Sequence, residues 1–308
     1  AFQRSRGLAV TGDPATDTLV VAGQVGFVKA FDGPTVAGGT VELTFDLSND
    51  SPTDTVAQLQ FADDLDAMLS GLSVTGSLPT TPCGPGSSLS TTPVLTLSNG
   101  TLGPDTACSF SVTLQVPTDA APGTYPNQTS DLQSGGIPVA QPAEDDLQVE
   151  PPPTFDKVYV PDVIGQGDTT TVTYTIDNSA SALDATSLDF TDTPQPGTTV
   201  GDPANAATDC TGGTLTAVAN DSSISYTVGA VAAGASCTVT ADVLGVTGGV
   251  YVDDTGDLTS SSGNSGPATD TLEVGTPPTL SKAFADTAIQ VNRTTTLSLR
   301  IANTINGG

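Results

Sequence analysis

The sequence predicts an all-β protein of tandem immunoglobulin-like β-sandwich domains that are arranged as a linear rod. The first observation behind this is a short string that recurs at Pro14–Val21, Pro142–Val149 and Pro267–Val274. The second is the alternation of apolar and polar residues over many short stretches, which is the period of a half-buried strand. The third is the content of 33 glycines and 23 prolines, which is typical of short strands joined by turns.

Three lysines set the length of the repeat. Lys29, Lys157 and Lys282 occupy the same place after the recurring string, at separations of 157 − 29 = 128 and 282 − 157 = 125 residues. A repeat of this length indicates tandem copies of one domain. The predicted units are the last strands of a preceding repeat at 1–22, complete repeats at 23–150 and 151–276, and the first strands of a further repeat at 277–308.

Strands account for the first complete repeat. Val41–Leu47 and Phe110–Val116 alternate apolar with polar side chains, so both are predicted to be half-buried strands. Asp63–Gly71 is the one segment in which we expect a helical turn. Shorter strands are predicted at Gln58–Phe61, Leu72–Thr75, Val94–Leu97, Gly123–Leu132 and Glu144–Val149.

The second repeat copies the first, and prolines separate the repeats. Val172–Ile176 and Cys237–Val243 carry the same alternation of apolar and polar residues. About six to eight short strands in each repeat indicate a two-sheet sandwich. The joints Pro151–Pro153 and Pro277–Pro278 are expected to be stiff and extended, near polyproline geometry, which restricts bending between repeats.

The charge and composition exclude several classes of function. The chain has 34 acidic and 7 basic residues, a net charge of −27, which argues against binding nucleic acid or anionic lipid. No apolar run approaches the ~18 residues of a membrane span, so we expect no membrane insertion. The lack of histidine excludes a Ser-His-Asp or Cys-His catalytic site and a histidine-ligated zinc site. We therefore expect no enzymatic activity.

The four cysteines are spaced as one pair in each repeat. Cys83 and Cys108 are 108 − 83 = 25 residues apart, and Cys210 and Cys237 are 237 − 210 = 27 residues apart. They are either buried free thiols in a reducing compartment or one disulfide within each repeat. We predict the disulfides, which form in an oxidising compartment and so imply an extracellular or cell-surface protein.

The three equivalent lysines have two interpretations. Each is either a snorkelling or salt-bridged side chain beside an acidic neighbour, or one end of an intramolecular isopeptide crosslink, as in some surface pilins. In the second case a first-strand lysine joins an Asn or Asp on a late strand, with a carboxylic acid as the catalyst. The predicted partner of Lys29 is Asn127, and that of Lys157 is Asp253, the repeat equivalent of Asn127.

We predict no metal and no cofactor, and clustered acidic residues leave calcium as the alternative. Calcium needs roughly six to eight oxygen ligands from converging loops. No EF-hand or nonapeptide pattern is present, and solvated acids in turns are the simpler interpretation. The calcium candidates are Asp63, Asp64, Asp66, Asp253 and Asp254.

Several phrases of the chain resemble a known family. These are PPTLSKAF at 277–284, TPQPGTTV at 193–200, AAGASCTVTADV at 232–243 and the closing GVY at 249–251. They resemble the tandem repeats of large bacterial surface proteins that are named "domain of unknown function eleven", and their relatives. The resemblance implies an immunoglobulin-like fold, export and a place on the cell surface. It implies no defined activity.

Three classes of function follow from these observations. The leading one is structural: a non-catalytic rod segment of a cell-surface stalk or an extracellular filament, whose partners are neighbouring copies of itself. The second is an adhesin-type binding module whose loops contact a ligand. The third is a spacer of a secreted enzyme.

Overall fold

The regular secondary structure of the described residues is almost entirely β-strand. The structure, a computed structural model, describes residues 25–92 and 94–303. The helical turn predicted within Asp63–Gly71 is confirmed, because Leu65–Met68 forms the four-residue helix α1. The side chain of Asp64 caps it by accepting a hydrogen bond of 3.1 Å from the backbone N–H of Ala67.

Residues 25–150 form twelve strands. They are β1 (Val25–Phe31), β2 (Thr35–Val36), β3 (Thr40–Asn49), β4 (Val56–Asp63), β5 (Ser73–Thr75), β6 (Ser88–Ser90), β7 (Leu95–Leu102), β8 (Thr106–Gln115), β9 (Gly123–Gln128), β10 (Leu132–Ser134), β11 (Ile137–Ala140) and β12 (Glu144–Glu150). The strand order is β1-β3-β8-β5 in one sheet, β11-β10-β4-β7-β6 in a second and β2-β12-β9 in a third.

Residues 154–275 repeat this plan. Their strands are β13 (Thr154–Val160), β14 (Val163–Gly165), β15 (Thr169–Asp177), β16 (Ala185–Asp192), β17 (Thr198–Val200), β18 (Ala207–Thr208), β19 (Thr211–Ala217), β20 (Ile224–Val231), β21 (Ser236–Gly245), β22 (Gly249–Asp254), β23 (Leu258–Ser260), β24 (Gly263–Gly266) and β25 (Thr269–Gly275). The sheet orders are β13-β15-β21-β17, with β18 also on β21, then β14-β25-β22 and β19-β20-β16-β23-β24.

The first strand of each repeat divides between two sheets. In the first repeat β1 pairs antiparallel with β3, whereas β2, after a short break, pairs parallel with β12. The second repeat does the same with β13 and β14. This division is one reason why the repeats have more strands than the six to eight expected. It also places the first strand at the seam where the sheets of one repeat meet.

Side chains that alternate along the strands fill one core in each repeat. Along β3 the side chains of Leu43, Phe45 and Leu47 are at most 1% exposed, which confirms the predicted period of two. The ring of Phe45 lies 4.9 Å from that of Phe61 and 5.3 Å from that of Phe110, measured between centroids. Because Phe61 belongs to β4, these rings pack one sheet against another, and each buried ring contributes about 1.5–3 kcal/mol.

A tyrosine pins the same turn in each repeat. The hydroxyl of Tyr125 donates to the carbonyl of Ala121 at 2.7 Å, and that of Tyr251 donates to the carbonyl of Thr247 at 2.7 Å. In both cases the partner lies four residues earlier in the chain. This is the tyrosine corner found in β-sandwiches, where the hydroxyl fastens the chain that enters a late strand.

A separate hairpin follows the second repeat. Its strands are β26 (Thr279–Phe284) and β27 (Leu297–Ala302), which pair antiparallel. The apolar side chains of Leu299 and Ile301 are 63% and 73% exposed. The first strands predicted for a further repeat correspond to this hairpin. The last strands predicted at residues 1–22 lie outside the described residues.

Candidate functional site

A buried polar cluster joins the three sheets of the first repeat. It consists of Lys29 on β1, Asp63 at the end of β4 and Asn127 on β9, all at most 5% exposed. The Nζ of Lys29 lies 3.1 Å from Oδ2 of Asp63. The Nδ2 of Asn127 donates to the same oxygen at 3.3 Å. An amine and a carboxamide therefore contact one carboxylate oxygen inside the core.

The strand period forces Lys29 into the core. Phe27 and Lys29 are 8% and 5% exposed, whereas Val28 between them is 59% exposed. Because successive side chains of a strand point to opposite faces, a lysine two residues after a core phenylalanine must point inward. Its long side chain then ends at Asp63 rather than in solvent, so Lys29 is the salt-bridged lysine of the first interpretation and does not snorkel.

The surroundings of Lys29 are apolar and aromatic. The ring of Phe27 lies 4.8 Å from that of Phe61, two residues before Asp63. Burial lowers the pKa of Lys29 below its usual value, because an ammonium is costly to hold away from water, although Asp63 acts in the opposite sense. The second carboxylate oxygen, Oδ1 of Asp63, has no hydrogen-bond partner among the described residues.

The second repeat holds an equivalent cluster with two carboxylates. Its members are Lys157 on β13, Asp192 at the end of β16 and Asp253 on β22, all at most 1% exposed. The Nζ of Lys157 lies 2.7 Å from Oδ2 of Asp192 and 2.6 Å from Oδ2 of Asp253. The three positions match those of the first repeat, with Asp253 in place of Asn127.

Two tyrosines complete the second cluster. The hydroxyl of Tyr159 donates to Oδ2 of Asp253 at 2.5 Å, and that of Tyr174 donates to Oδ2 of Asp192. Burial, and then the nearby charge of Asp192, raises the pKa of Asp253. Burial and the neighbouring carboxylates also raise the pKa of both tyrosines, so they remain hydroxyl donors. These donors hold the oxygens that face Lys157.

Each cluster contains both the acidic neighbour required for an ion pair and the Asn or Asp required for an isopeptide crosslink. The contacts of Lys29 with Asp63 and of Lys157 with Asp192 are those of buried ion pairs. The predicted crosslink partners Asn127 and Asp253 are present as well. The sequence reasoning treated Asp63 only as a calcium candidate and did not single out Asp192.

A Phe-x-Asp motif is the sequence signal that could have identified Asp63 and Asp192. It stands at Phe61–Asp63 and at Phe190–Asp192, and it follows the lysine of its repeat at nearly the same distance, 63 − 29 = 34 and 192 − 157 = 35 residues.

The calcium candidates have other partners in the structure. Asp63 and Asp253 contact the buried lysines, Asp64 caps α1, and Asp66 accepts a hydrogen bond of 2.7 Å from the backbone of Gly71. Asp254 is exposed next to Asp253. Within the described ranges, the one group of three potential ligands is Asp209, Cys210 and Cys237, and its two sulfurs are bonded to each other. The expectation of no cofactor, with calcium as the alternative, stays a prediction.

The structure bonds the cysteines in the two pairs that the sequence predicts. Cys83 precedes β6 and is linked to Cys108 on β8, and Cys210 is linked to Cys237 on β21. The part of the chain that the structure describes contains no free cysteine. Each disulfide lies within one repeat, so each core has its own covalent link.

Solved structures of bacterial surface proteins are similar to this chain at low identity. The collagen adhesin from S. aureus is 11% identical over 90% of this chain and 95% of its own, with a TM-score of 0.30. A putative membrane anchored protein from Corynebacterium diphtheriae is 12% identical over 80% and 89%, with a TM-score of 0.28. The Yersinia pseudotuberculosis adhesin InvE is 13% identical over 82% and 59%, with a TM-score of 0.25.

Comparison with known protein families assigns both repeats to one family. No curated protein matches the chain. Residues 26–149 and 153–274 each match the family described as "Domain of unknown function (DUF7933)". These two ranges cover most of the 308 residues and coincide with the two cores. The chain therefore belongs to this family and carries two copies of its domain.

Proposed function

We propose that this chain is a structural segment of an extracellular bacterial protein, which forms part of a cell-surface stalk or filament and has no catalytic turnover. One observation carries the proposal: both domains reinforce their cores at matched positions, with a disulfide and a buried lysine cluster that ties three sheets together. Reinforcing every unit separately suits a protein that bears load or persists outside the cell.

The lysine clusters are unsuited to act on a substrate. Their six side chains are at most 5% exposed, so an external molecule does not reach them without unfolding the domain. The clusters therefore serve the domain that contains them, which favours a structural role over an enzymatic one. As a separate observation, the described part of the chain has no helix with the length and apolarity of a membrane span.

The joint between the two domains supports an extended arrangement. The carboxylate of Glu150, at the end of the first domain, accepts a hydrogen bond of 3.1 Å from the backbone N–H of Ala182 in the second. Pro151–Pro153 follow, and consecutive prolines favour extended, semi-rigid chain. In an array of such units each domain contacts mainly its neighbours, so copies can be added without rebuilding a core.

We also propose that these domains are related to the "domain of unknown function eleven" repeats.

Negative-stain electron microscopy of the chain tests the proposal. Strands of ten residues at about 3.3 Å each, plus loops, give a domain of roughly 30–40 Å, so two domains should form a rod of about 60–80 Å. Compact particles without elongation would refute the stalk and the filament together. Rods of a single chain's length support the stalk, and longer end-to-end rods support the filament.

A matched variant tests the role of the joint. Replacing the half-buried Pro151 and Pro152 with glycine, while the buried Pro153 is kept, makes the joint more flexible. We expect the angle between the two domains to vary more widely in the images of this variant than in those of the wild type. Equal angular spread in both proteins would show that the prolines do not stiffen the rod.

A further inference from the structure

We propose that each domain closes an internal isopeptide bond, between Lys29 and Asn127 in the first domain and between Lys157 and Asp253 in the second. Asp63 and Asp192 are proposed to move the proton in their respective clusters. This inference goes beyond the proposed function and does not rest on it, because the bonds can form wherever the domains fold.

The reacting groups are in direct contact in the second domain and share one carboxylate oxygen in the first. In the second domain Nζ of Lys157 lies 2.6 Å from Oδ2 of Asp253. Since a carboxyl C–O bond is about 1.2–1.3 Å long, the nitrogen lies within about 3.9 Å of the carboxyl carbon. In the first domain, Lys29 and Asn127 contact the same oxygen of Asp63 at 3.1 and 3.3 Å. Burial from three sheets holds these groups in place, which replaces a bimolecular encounter with a preorganised one.

The nucleophile must be a neutral amine, and the core favours that form. Lys29 is buried among phenylalanines, and burial lowers its pKa. Asp63 is the group within reach that can take the proton from the ammonium. Transfer of this proton turns a buried pair of opposite charges into a neutral amine and a neutral acid, which an apolar core accommodates more easily.

In the first domain the reaction releases ammonia. Lys29 gives a proton to Asp63, and its neutral Nζ attacks Cγ of Asn127. Asp63 donates a proton to the carboxamide oxygen while the tetrahedral centre forms, and regains it as that centre collapses. The bond from Cγ to Nδ2 breaks, and the leaving nitrogen takes a proton from the attacking nitrogen. The products are one amide, one ammonia and a neutral Asp63, so atoms and charge balance.

In the second domain the same step releases water. The neutral Nζ of Lys157 attacks Cγ of Asp253, and one oxygen of Asp253 leaves with two of the three protons of the original ammonium. Asp192 contacts Nζ at 2.7 Å, accepts one of these protons and passes it to the leaving oxygen. The hydroxyls of Tyr159 and Tyr174 hold the two carboxylates in place before the attack.

Each cluster has buried carboxylate oxygens without a hydrogen-bond partner, and their presence favours formation of the isopeptide bond. Oδ1 of Asp63, of Asp192 and of Asp253 each lack a hydrogen-bond partner among the described residues, which is unfavourable for a buried carboxylate. After condensation in the first domain, neutral Asp63 donates its O–H to the new carbonyl and accepts from the new amide N–H. Both of its oxygens then have partners, and no buried charge remains.

Intact mass of the full chain tests the proposal. With both disulfides formed, the mass should fall short of the disulfide-bonded sequence by one ammonia and one water. A protease digest should contain two branched peptides, one joining Lys29 to Asn127 and one joining Lys157 to Asp253. A buried ion pair leaves the mass and the linear peptides unchanged, so the full sequence mass would overturn the proposal. A deficit of ammonia alone or of water alone would overturn it for the other domain.

Variants separate the chemistry from the packing. In Asp63→Asn, which retains both reacting groups, the ammonia deficit should disappear and the water deficit should remain. Lys282→Met is the matched control, because Lys282 has the same repeat position but lies on the exposed strand β26. It should keep both deficits. Persistence of the ammonia deficit in Asp63→Asn would remove Asp63 from the mechanism, and the digest of the wild type does not depend on how the variants fold.

Discussion

Mechanical unfolding of the first domain distinguishes a crosslinked core from an ion pair. The perturbation is Lys29→Met, which removes the amine and keeps an unbranched apolar side chain of similar length. An isopeptide bond from Lys29 to Asn127 bypasses 127 − 29 = 98 residue steps of the chain. At about 3.3–3.6 Å per residue, the wild type should withhold about 320–350 Å of chain when the domain is pulled from its ends.

The disulfide of the first domain gives a second length of released chain that distinguishes the variant from the wild type. Cys83 and Cys108 lie inside the bypassed segment and enclose 25 residue steps. Under oxidising conditions Lys29→Met should therefore release 98 − 25 = 73 more steps than the wild type, or about 240–260 Å. Adding a reductant should lengthen the release of the variant by a further 80–90 Å, approximately, since 25 steps become free. In the wild type the reductant should change nothing, because the disulfide carries no load.

Single-molecule force spectroscopy of the chain between flanking marker domains measures these lengths. Lys157→Met is the corresponding variant of the second domain, where the bond bypasses 253 − 157 = 96 residue steps. The variant Lys282→Met serves as the control and should match the wild type. The reasoning fails if the wild type releases the full length of each domain, or if a reductant lengthens its release.

Three further predictions concern stability. Asn127→Ala keeps the contact of Lys29 with Asp63 but cannot form the bond, so it should lose about 4–5 kcal/mol of unfolding free energy in denaturant, on the chain-entropy estimate for a loop of this size; a loss below about 1 kcal/mol would contradict the crosslink. In the same variant Lys29 still titrates, and its pKa is lowered from 10.5 by burial, so the unfolded chain holds more protons between the two values. Stability should therefore rise with pH up to 10.5 in Asn127→Ala, and this rise should be missing in a crosslinked wild type, as pH-dependent denaturation can show. Tyr125→Phe removes the hydroxyl that donates to Ala121 and should cost about 0.5–1.5 kcal/mol in thermal or denaturant unfolding, whereas no change would show that the tyrosine corner is not stabilising.

Both lysine clusters show which parts of a site can be predicted from sequence. Lys29 and Lys157 stand out because they recur at one repeat position, and Asn127 and Asp253 because they match on a late strand. The role of Asp63 was missed, since its neighbour Asp64 made the pair resemble a calcium-binding turn. The structure separates the two acids: Asp63 is fully buried, whereas Asp64 caps a helix. Adjacent residues of a strand end point in opposite directions, and a string of letters does not show which one faces the core.

Features that depend on a local pattern can be predicted from the amino-acid sequence. The alternation along Val41–Leu47 requires a strand with one buried face, and the spacing of the repeats requires copies of one domain. The disulfide pairs followed from one cysteine pair per repeat. Such features involve neighbours in sequence, whose geometry the backbone period sets.

Contacts between groups that are distant in sequence depend on the packing of the whole domain. Lys29, Asp63 and Asn127 come from three different sheets, and their separations in sequence reach 98 residues. Their contact depends on how the first strand divides into β1 and β2, which lie in different sheets. It also depends on how the rings of Phe27 and Phe45 pack against Phe61 of the sheet that contains β4. Packing of this kind is a property of the whole core, because each side chain's position depends on the volumes of all the others.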